Sequence, residues 1–342
     1  MQKFINKIIS GDCIKILSSV KEPFADLIFA DPPFNIGYKY NGYNDNKKSD
    51  DYVAWTRRWM SACYNVLKPH GSFYIAMGDE YAANTKIIAD GLGLFMRNWL
   101  IWHYTFGQQM KKKFARSHTH ILYFVKDKDI FTFDADATTR VISDRQKIYS
   151  DKRANPDGKL PDDVWDEYPR VCGTFDERTG FPCQMPEGLL ARIIRVSSNA
   201  GDWVLDPFSG SGTTAIVAAK LKREYTGIEI SPEYADQSRK RIRQFNNLPI
   251  VDAGPGRWSR HADAELKCLY HENKVSAEGL QQSSYLLGLF TEKFNSRISN
   301  GQNHYSCDDV IERLIKIQKS GKLGPLRAKV IHSKGSSLVE SQ

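Results

Sequence analysis

Short apolar runs alternate with longer amphipathic stretches over residues 4–125 of this chain. Ala25-Asp26-Leu27-Ile28-Phe29-Ala30 is apolar on both faces apart from Asp26, the pattern of a buried strand. Residues 52–67 space their apolar positions as a helix does, and Lys68-Pro69-His70-Gly71 then ends it. Ser72-Phe73-Tyr74-Ile75-Ala76-Met77 reads as the next strand, and residues 80–91 as a helix closed by Gly91. Residues 98–104 and 120–125 read as two strands around a basic loop. Strands alternating with helices predict an α/β fold with a mainly parallel, doubly wound sheet.

The pattern lapses over residues 126–180, which are polar, rich in Asp and Arg, and carry the turn signal Asn155-Pro156-Asp157-Gly158. This stretch reads as an insert with little regular structure. The alternation resumes at Pro186. Leu189, Leu190, Ile193 and Ile194 form a helical stripe, and a strand follows at Trp203. A helix over 213–220, a strand over 225–230 and a helix opened by Ser231-Pro232-Glu233 complete it. Residues 251–256, with two glycines and a proline, read as a linker, and helices are expected at 277–294 and 307–319. The expected organisation is two α/β pieces, 1–125 and 181–250, around the insert 126–180, with a helical region at 257–342.

Bulk properties narrow the classes. With 342 residues, 41% hydrophobic and 26% charged, the chain has room for one large α/β domain and an accessory region. A net charge of +8 suits a polyanionic partner. The six cysteines form no C-x-x-C pair, which argues against a zinc site and a disulfide framework and for a reducing compartment. No apolar run is long enough to span a bilayer, and the first residues lack a signal peptide's apolar core.

Two motifs carry the chemistry. Asp206-Pro207-Phe208-Ser209-Gly210-Ser211-Gly212-Thr213 joins an apolar strand to a helix through a glycine-rich turn. Such a turn brings backbone close to a ligand and offers free N–H groups at the helix start. Asp206 faces that turn, where it repels phosphate and suits a cationic amino group. The next strand ends in Glu229, placed to accept from ribose hydroxyls. S-adenosyl-L-methionine, with an amino-acid end, a ribose and no phosphate, fits better than a dinucleotide. A structural glycine turn is the plainer alternative for the glycines alone.

Asp31-Pro32-Pro33-Phe34 ends the strand at Ala30. An exocyclic amino group on a base is a poor nucleophile because its lone pair is delocalised into the ring. The Asp31 carboxylate and the Pro32 carbonyl can each accept one of its N–H bonds and localise that pair. Pro32 and Pro33 stiffen the exit and hold the carbonyl outward. Phe34 can stack on the base. Direct methyl transfer follows, with positioning and electrostatics carrying it and no metal required.

With these residues in this order, the chain resembles the permuted, β-group amino-methyltransferases of DNA, the N6-adenine and N4-cytosine enzymes. The resemblance runs over residues 9–243. It implies a class I, Rossmann-like methyltransferase fold with seven strands, the last antiparallel to the others, circularly permuted around a target-recognition insert. Gly11-Asp12-Cys13 resembles the family segment whose acid approaches the cofactor's adenine, which brings in Asp12 and Cys13. Phe181-Pro182-Cys183-Gln184-Met185-Pro186 resembles the H-P-t-q-K-P segment beside the methionine end, which brings in Gln184. It departs from that pattern at Phe181 and Met185. Asp163-Val164-Trp165 resembles the stretch preceding it. Asp as the first motif residue favours adenine N6; serine is common in cytosine-N4 enzymes.

The implied partner is double-stranded DNA with the target base flipped out. Lys111, Lys112, Lys113 and Arg116 are candidate phosphate contacts, as is Lys39 in a loop that can close over the base. Arg140, Arg145, Lys147, Lys152 and Arg153 lie in the insert, and Lys316, Lys319, Lys322, Arg327 and Lys329 make the C-terminal end basic. His103, His118 and His120 have no carboxylate or cysteine at ligand spacing in the sequence, so no metal is expected. A homodimer, a cognate restriction endonuclease and a bacterial cytoplasmic, nucleoid-associated location complete what the resemblance suggests. Rival readings are an RNA or glutamine methyltransferase, disfavoured by motif order, and a DNA-binding subunit without catalysis.

Overall fold

The computed structural model describes residues 3–40, 42–108, 110–138, 141, 143, 145, 153–155, 158–171, 179, 181, 183–245, 260–273, 276–298 and 305–319. Residues 1–254 and 255–342 form separate compact units. The first contains strands β1 (Lys7–Ser10), β2 (Ala25–Ala30), β3 (Lys39–Tyr40), β4 (Tyr43–Asn44), β5 (Leu67–Met77), β6 (Phe95–Gln108), β7 (Arg116–Val125), β8 (Val164–Trp165), β9 (Trp203–Asp206) and β10 (Glu224–Glu229). Its helices are α1 (Cys13–Ser18), α2 (Ser49–Val66), α3 (Ala82–Gly91), α4 (Glu187–Ser197), α5 (Thr213–Lys220) and α6 (Pro232–Phe245).

Eight strands form the main sheet in the order β1-β10-β9-β2-β5-β7-β6-β8, and β3 pairs with β4 in a small hairpin. Strand β7 runs antiparallel to both its neighbours, β5 and β6. The other pairings within the main sheet are parallel. This is the class I methyltransferase arrangement, with one strand more than the seven expected. The extra strand is β8, within the stretch expected to lack regular structure. The Ile101 N–H bonds to the Asp163 carbonyl (2.7 Å), and Trp102 Nε1 donates to the Tyr168 carbonyl (2.6 Å). Together these hold a short segment against the sheet edge. Apolar cores lie on both faces of the sheet.

Two local expectations change. Lys68-Pro69-His70-Gly71 lies inside β5 rather than in a turn after α2. Register shifts there, from Ala25↔Leu67 to Leu27↔Ser72, so the extra residues bulge from the ladder. Buried Asp26 explains the need: its carboxylate accepts from Lys68 Nζ (2.9 Å to each oxygen) and the Trp203 N–H (2.8 Å), and pairs with His70 Nε2 at 2.8 Å. The helix expected from residue 80 starts at Ala82, which leaves Asp79 and Glu80 in the turn after β5.

The second unit holds α7 (Arg260–Asn273), α8 (Ala277–Gln281), α9 (Ser284–Ile298) and α10 (Cys307–Lys319) around Leu266, Leu269, Phe294 and Leu314. The single helix expected over 277–294 is two helices. The Ser283 hydroxyl accepts the Leu286 N–H (3.3 Å) and opens the second of them. Lys322, Arg327 and Lys329 lie outside the described residues. Among the described residues no helix is long and apolar enough to cross a membrane.

Gly227 marks how tightly β10 packs under the glycine turn. A Cβ there would lie 2.4 Å from Ser209 Oγ and 2.5 Å from Ile8 Cδ1. Gly227→Ala should destabilise the first unit by about 1–3 kcal/mol through overpacking, read as a lower Tm in thermal unfolding.

Candidate active site

Chain order reverses between β9 and β2, which lie side by side with Leu27↔Val204 and Ile28↔Leu205 in register. Ligands of open α/β sheets bind outside the C-terminal strand ends at such a switch point. The Asp31 motif leaves the end of β2 and the Asp206 motif leaves the end of β9. Both line one cavity of about 450 Å³, within the range of cofactor sites, roughly 300–1,000 Å³.

The first motif presents two acceptors to that cavity. Among the described residues, nothing donates to the Asp31 carboxylate or to the Pro32 carbonyl. The Pro33 carbonyl, by contrast, is taken by the buried Tyr52 hydroxyl at 2.7 Å. Phe34 lies against Gly78, where an added Cβ would meet its ring at 3.2 Å. Beyond the motif, the Asp45 carboxylate accepts the N–H groups of Asn35 (2.7 Å), Ile36 (3.1 Å) and Tyr38 (2.9 Å). Asp45 is buried and fixes the loop leaving the motif.

The glycine turn is equally fixed. Gly210 N–H donates to Glu229 Oε2 (2.9 Å), and its carbonyl accepts from Ser238 Oγ (2.6 Å). Gly210 and Gly212 have positive φ, and a Cβ on Gly210 would lie 2.7 Å from the Phe181 ring. Gly212 caps α5, so Thr213 starts it. The Thr213 hydroxyl is occupied by Arg241 Nη1 (2.8 Å). Asp206 accepts from the Phe208 N–H (3.0 Å) and the Thr214 hydroxyl (2.6 Å). Phe208 packs edge-on against Trp59, and Ser209 is buried with its N–H on the Ile228 carbonyl. Glu229 Oε1 accepts the Ser231 N–H (2.9 Å). Strand β1 pairs with β10, which brings Asp12 beside Glu229; Asp12 caps α1 through the Ile14 N–H (2.8 Å).

Four carboxylates, from Asp12, Asp31, Asp206 and Glu229, therefore line one cavity, and among the described residues no lysine does. Burial, and then the Asp206 charge, push the Asp31 carboxyl up to about 7, while Arg170 pulls it down. Burial pushes Asp206 up to about 7 against its two hydrogen bonds. Burial also raises Glu229, opposed by backbone N–H groups. Four carboxylates against two guanidiniums, Arg116 and Arg170, leave an acidic excess that favours a cation over a phosphate. The residues fit S-adenosyl-L-methionine: acids for its cationic groups, an acceptor carboxylate in Glu229 and a turn with no room for a side chain. Cys13 lines the same cavity, and burial pushes its thiol up to about 12, so it stays neutral.

Gln184 lines the cavity and accepts from the Thr179 hydroxyl (2.8 Å). Both departures from the family segment have a physical reason. Met185 is buried in the apolar core, where a lysine would leave water. Phe181 covers Gly210 and meets the Tyr234 ring edge-on at 4.9 Å. Sequence reading missed Arg170, whose guanidinium reaches this cavity from the insert, and Asp45. Neither sits in a motif that would have marked it.

The DNA-contact candidates divide. Lys111, Lys112 and Lys113 are exposed in the loop between β6 and β7. Arg116 differs: it pairs with Asp79 (3.0 Å) and Glu80 (2.7 Å), so its charge is largely spent within the protein. The side chain of Lys39 and residues Arg140, Lys147 and Lys152 lie outside the described residues. His118 and His120 do have a carboxylate beside them, contrary to the sequence reading. Asp79 Oδ1 lies 3.3 Å from each Nε2. Trp99 Nε1 donates to His120 Nδ1 (2.9 Å), so the neutral ring carries its proton on Nε2 and directs it at Asp79. In that tautomer His120 has no lone pair to offer an ion.

The comparisons with known proteins agree with this geometry. The family model described as DNA methylase, for N6 and N4 enzymes, matches residues 25–240. The chain is 38% identical over 248 residues to the type II methyltransferase M.HpaI of Haemophilus parainfluenzae, covering 72% of this chain and 77% of that one. It is 38% identical over 242 residues to the DNA adenine methyltransferase YhdJ of Escherichia coli K12, covering 69% and 82%. Among solved structures, a Thermus thermophilus protein described as a DNA modification methylase, in complex with S-adenosyl-L-methionine, matches with a TM-score of 0.51 at 23% identity, over 72% of this chain and 96% of that one. The PvuII DNA methyltransferase, described as cytosine-N4-specific, matches with a TM-score of 0.53 at 21% identity, over 70% and 90%.

Proposed function

The chain belongs to the N6/N4 DNA methylase family, and from that premise we propose that it methylates the N6 amino group of a flipped adenine at a specific site in duplex DNA. It is an S-adenosyl-L-methionine-dependent DNA methyltransferase. The observation that carries the reading is the pair of acceptors, Asp31 carboxylate and Pro32 carbonyl, with no donor among the described residues, at a strand end beside the glycine turn. Asp31 as the first motif residue and the adenine specificity in the name of YhdJ support adenine over cytosine.

Asp31 and the Pro32 carbonyl each accept one N–H of the target amino group and draw its lone pair out of the ring. Phe34, seated on Gly78, stacks on the base and fixes its plane. The cofactor, when bound, supplies an electrophilic methyl carbon on a sulfonium. Asp12 and Glu229 would hold its adenosine part, and Asp206, Gly210 and Gln184 its amino-acid end. Asp31, as acceptor of the target amino group, would also take the proton that the methylated nitrogen sheds, and its raised carboxyl suits it to do so.

Lys111, Lys112 and Lys113 are proposed to hold phosphates at the cavity mouth. M.HpaI carries a type II name, which supports a restriction endonuclease partner for this chain too. A homodimer belongs to the same reading and is checked by sedimentation. Action on duplex DNA supports a location with the bacterial chromosome.

The deciding experiment is methylation of a mixed-sequence plasmid with labelled cofactor, followed by mass analysis of nucleosides and mapping of modified sites. We expect N6-methyladenine at one recurring sequence. N4-methylcytosine would correct the base, and methylation of RNA or protein but not of duplex DNA would end the reading.

A further inference from the structure

The tip of the β6–β7 hairpin carries a feature the proposed chemistry does not use. Phe114 is 98% exposed, the most exposed of the large apolar side chains described. Met110, 38% exposed, lies on the same loop. Between them stand Lys111, Lys112 and Lys113, all exposed. A lone phenylalanine held fully in water gains nothing for folding. Three adjacent lysines disfavour an apolar protein partner and suit a polyanionic one.

The position is as telling as the composition. Arg116, His118 and Thr119 line the cavity that holds Asp31. Two residues of chain span at most about 7 Å, so the Phe114 backbone stands that close to the cavity-lining Arg116. Gln108 pairs with Arg116, and this ladder holds the loop's base, while the Arg116 pairs to Asp79 and Glu80 anchor it to the turn after β5. The loop is therefore the tip of a braced hairpin whose second strand lines the cavity. A base that enters the cavity leaves a gap in its duplex, and unstacking costs a few kcal/mol unless an apolar ring fills the gap.

We propose that Phe114 is an intercalating wedge that enters the base stack of duplex DNA where the target nucleotide has left it, while Lys111, Lys112 and Lys113 hold the flanking phosphates. This rests on the DNA methyltransferase reading above. Phe114 acts on the flipping equilibrium and touches neither cofactor nor reacting atoms.

The test uses the full chain and two duplexes carrying the mapped site, one with adenine at the target position for rates and one with 2-aminopurine there for fluorescence. The wild type should raise its fluorescence on binding. Phe114→Ala should cut that rise and lower kcat/KM for DNA about ten- to a hundredfold, the scale of a lost base–aromatic stack. Phe114→Trp should restore both, with its indole emission quenched by DNA. The alanine deficit should shrink on a duplex whose target base is mismatched, because less unstacking remains to be offset. Cofactor affinity and Tm should match the wild type. Equal rates for wild type and Phe114→Ala on the matched duplex, or an equal deficit on matched and mismatched duplexes, would overturn the wedge. Failure of the wild type to methylate any DNA would instead overturn the underlying reading.

Discussion

Asp31→Ala should lower single-turnover methyl transfer about a thousandfold, the scale of losing a preorganised group at the reacting atom, while cofactor Kd changes little. The asymmetry follows from geometry. Among the described residues nothing donates a hydrogen bond to the carboxylate, whereas the glycine turn is held by Glu229 and Ser238. Asp31→Asn keeps an acceptor oxygen but loses the titration. In the wild type, burial and Asp206 raise the Asp31 carboxyl to about 7. The ionised form is the active one, so the rate should rise with pH through an acid limb at or below that value. A bound sulfonium favours the carboxylate and should move the limb downward. Asp31→Asn should flatten it. Transfer at wild-type rate by Asp31→Ala would remove this residue from the mechanism.

The same shifts set a stability signature. Asp31 and Asp206 both have carboxyls raised in the folded state to about 7, from an ordinary value of 3.8. The folded protein therefore binds more protons than the unfolded chain between those values, and stability falls as pH rises across that window. A cationic ligand offsets that loss, so its stabilising effect should be larger above the window than below it.

What was legible in the sequence was chemistry tied to chain geometry. The place of the Asp31 motif at a strand end was legible because a buried strand must end where the sheet ends and two prolines leave few ways out. The turn after β9 was legible because positive φ favours glycine at 210 and 212, and a Cβ at 210 would lie 2.7 Å from the Phe181 ring. Parallel pairing of β2 with β9 then brings the two together. What escaped depends on register between distant segments. The β5–β7 ladder sets Met77 opposite His120, which delivers Asp79 to the histidines and to Arg116. No local pattern announces that a basic residue will be paired. Likewise β8 is too short for periodicity to mark, and only its hydrogen bonds to β6 make it a strand. The break at Ser283 hides because serine is tolerated within a helix and caps one equally well.

The second large effect is expected at Glu229. Its carboxylate accepts from Gly210 (2.9 Å) and Ser231 (2.9 Å), so it organises the turn and still has lone pairs for ribose hydroxyls. Glu229→Ala removes those acceptors and leaves two N–H groups in the turn without partners, each costing about 1–3 kcal/mol where buried. Charge-assisted hydrogen bonds are worth about 1.5–3 kcal/mol each, so losing two to the ribose should weaken cofactor binding about a hundredfold or more. Calorimetry with S-adenosyl-L-methionine measures this directly. Glu229→Gln keeps one acceptor oxygen and should fall between. The contrast with Asp31→Ala separates the two halves of the cavity: one variant should bind cofactor and not transfer, the other should fail at binding. If Glu229→Ala held cofactor as tightly as the wild type, the ribose would have to lie elsewhere, and the strand-end logic joining Asp12, Glu229 and Gly210 would fail with it.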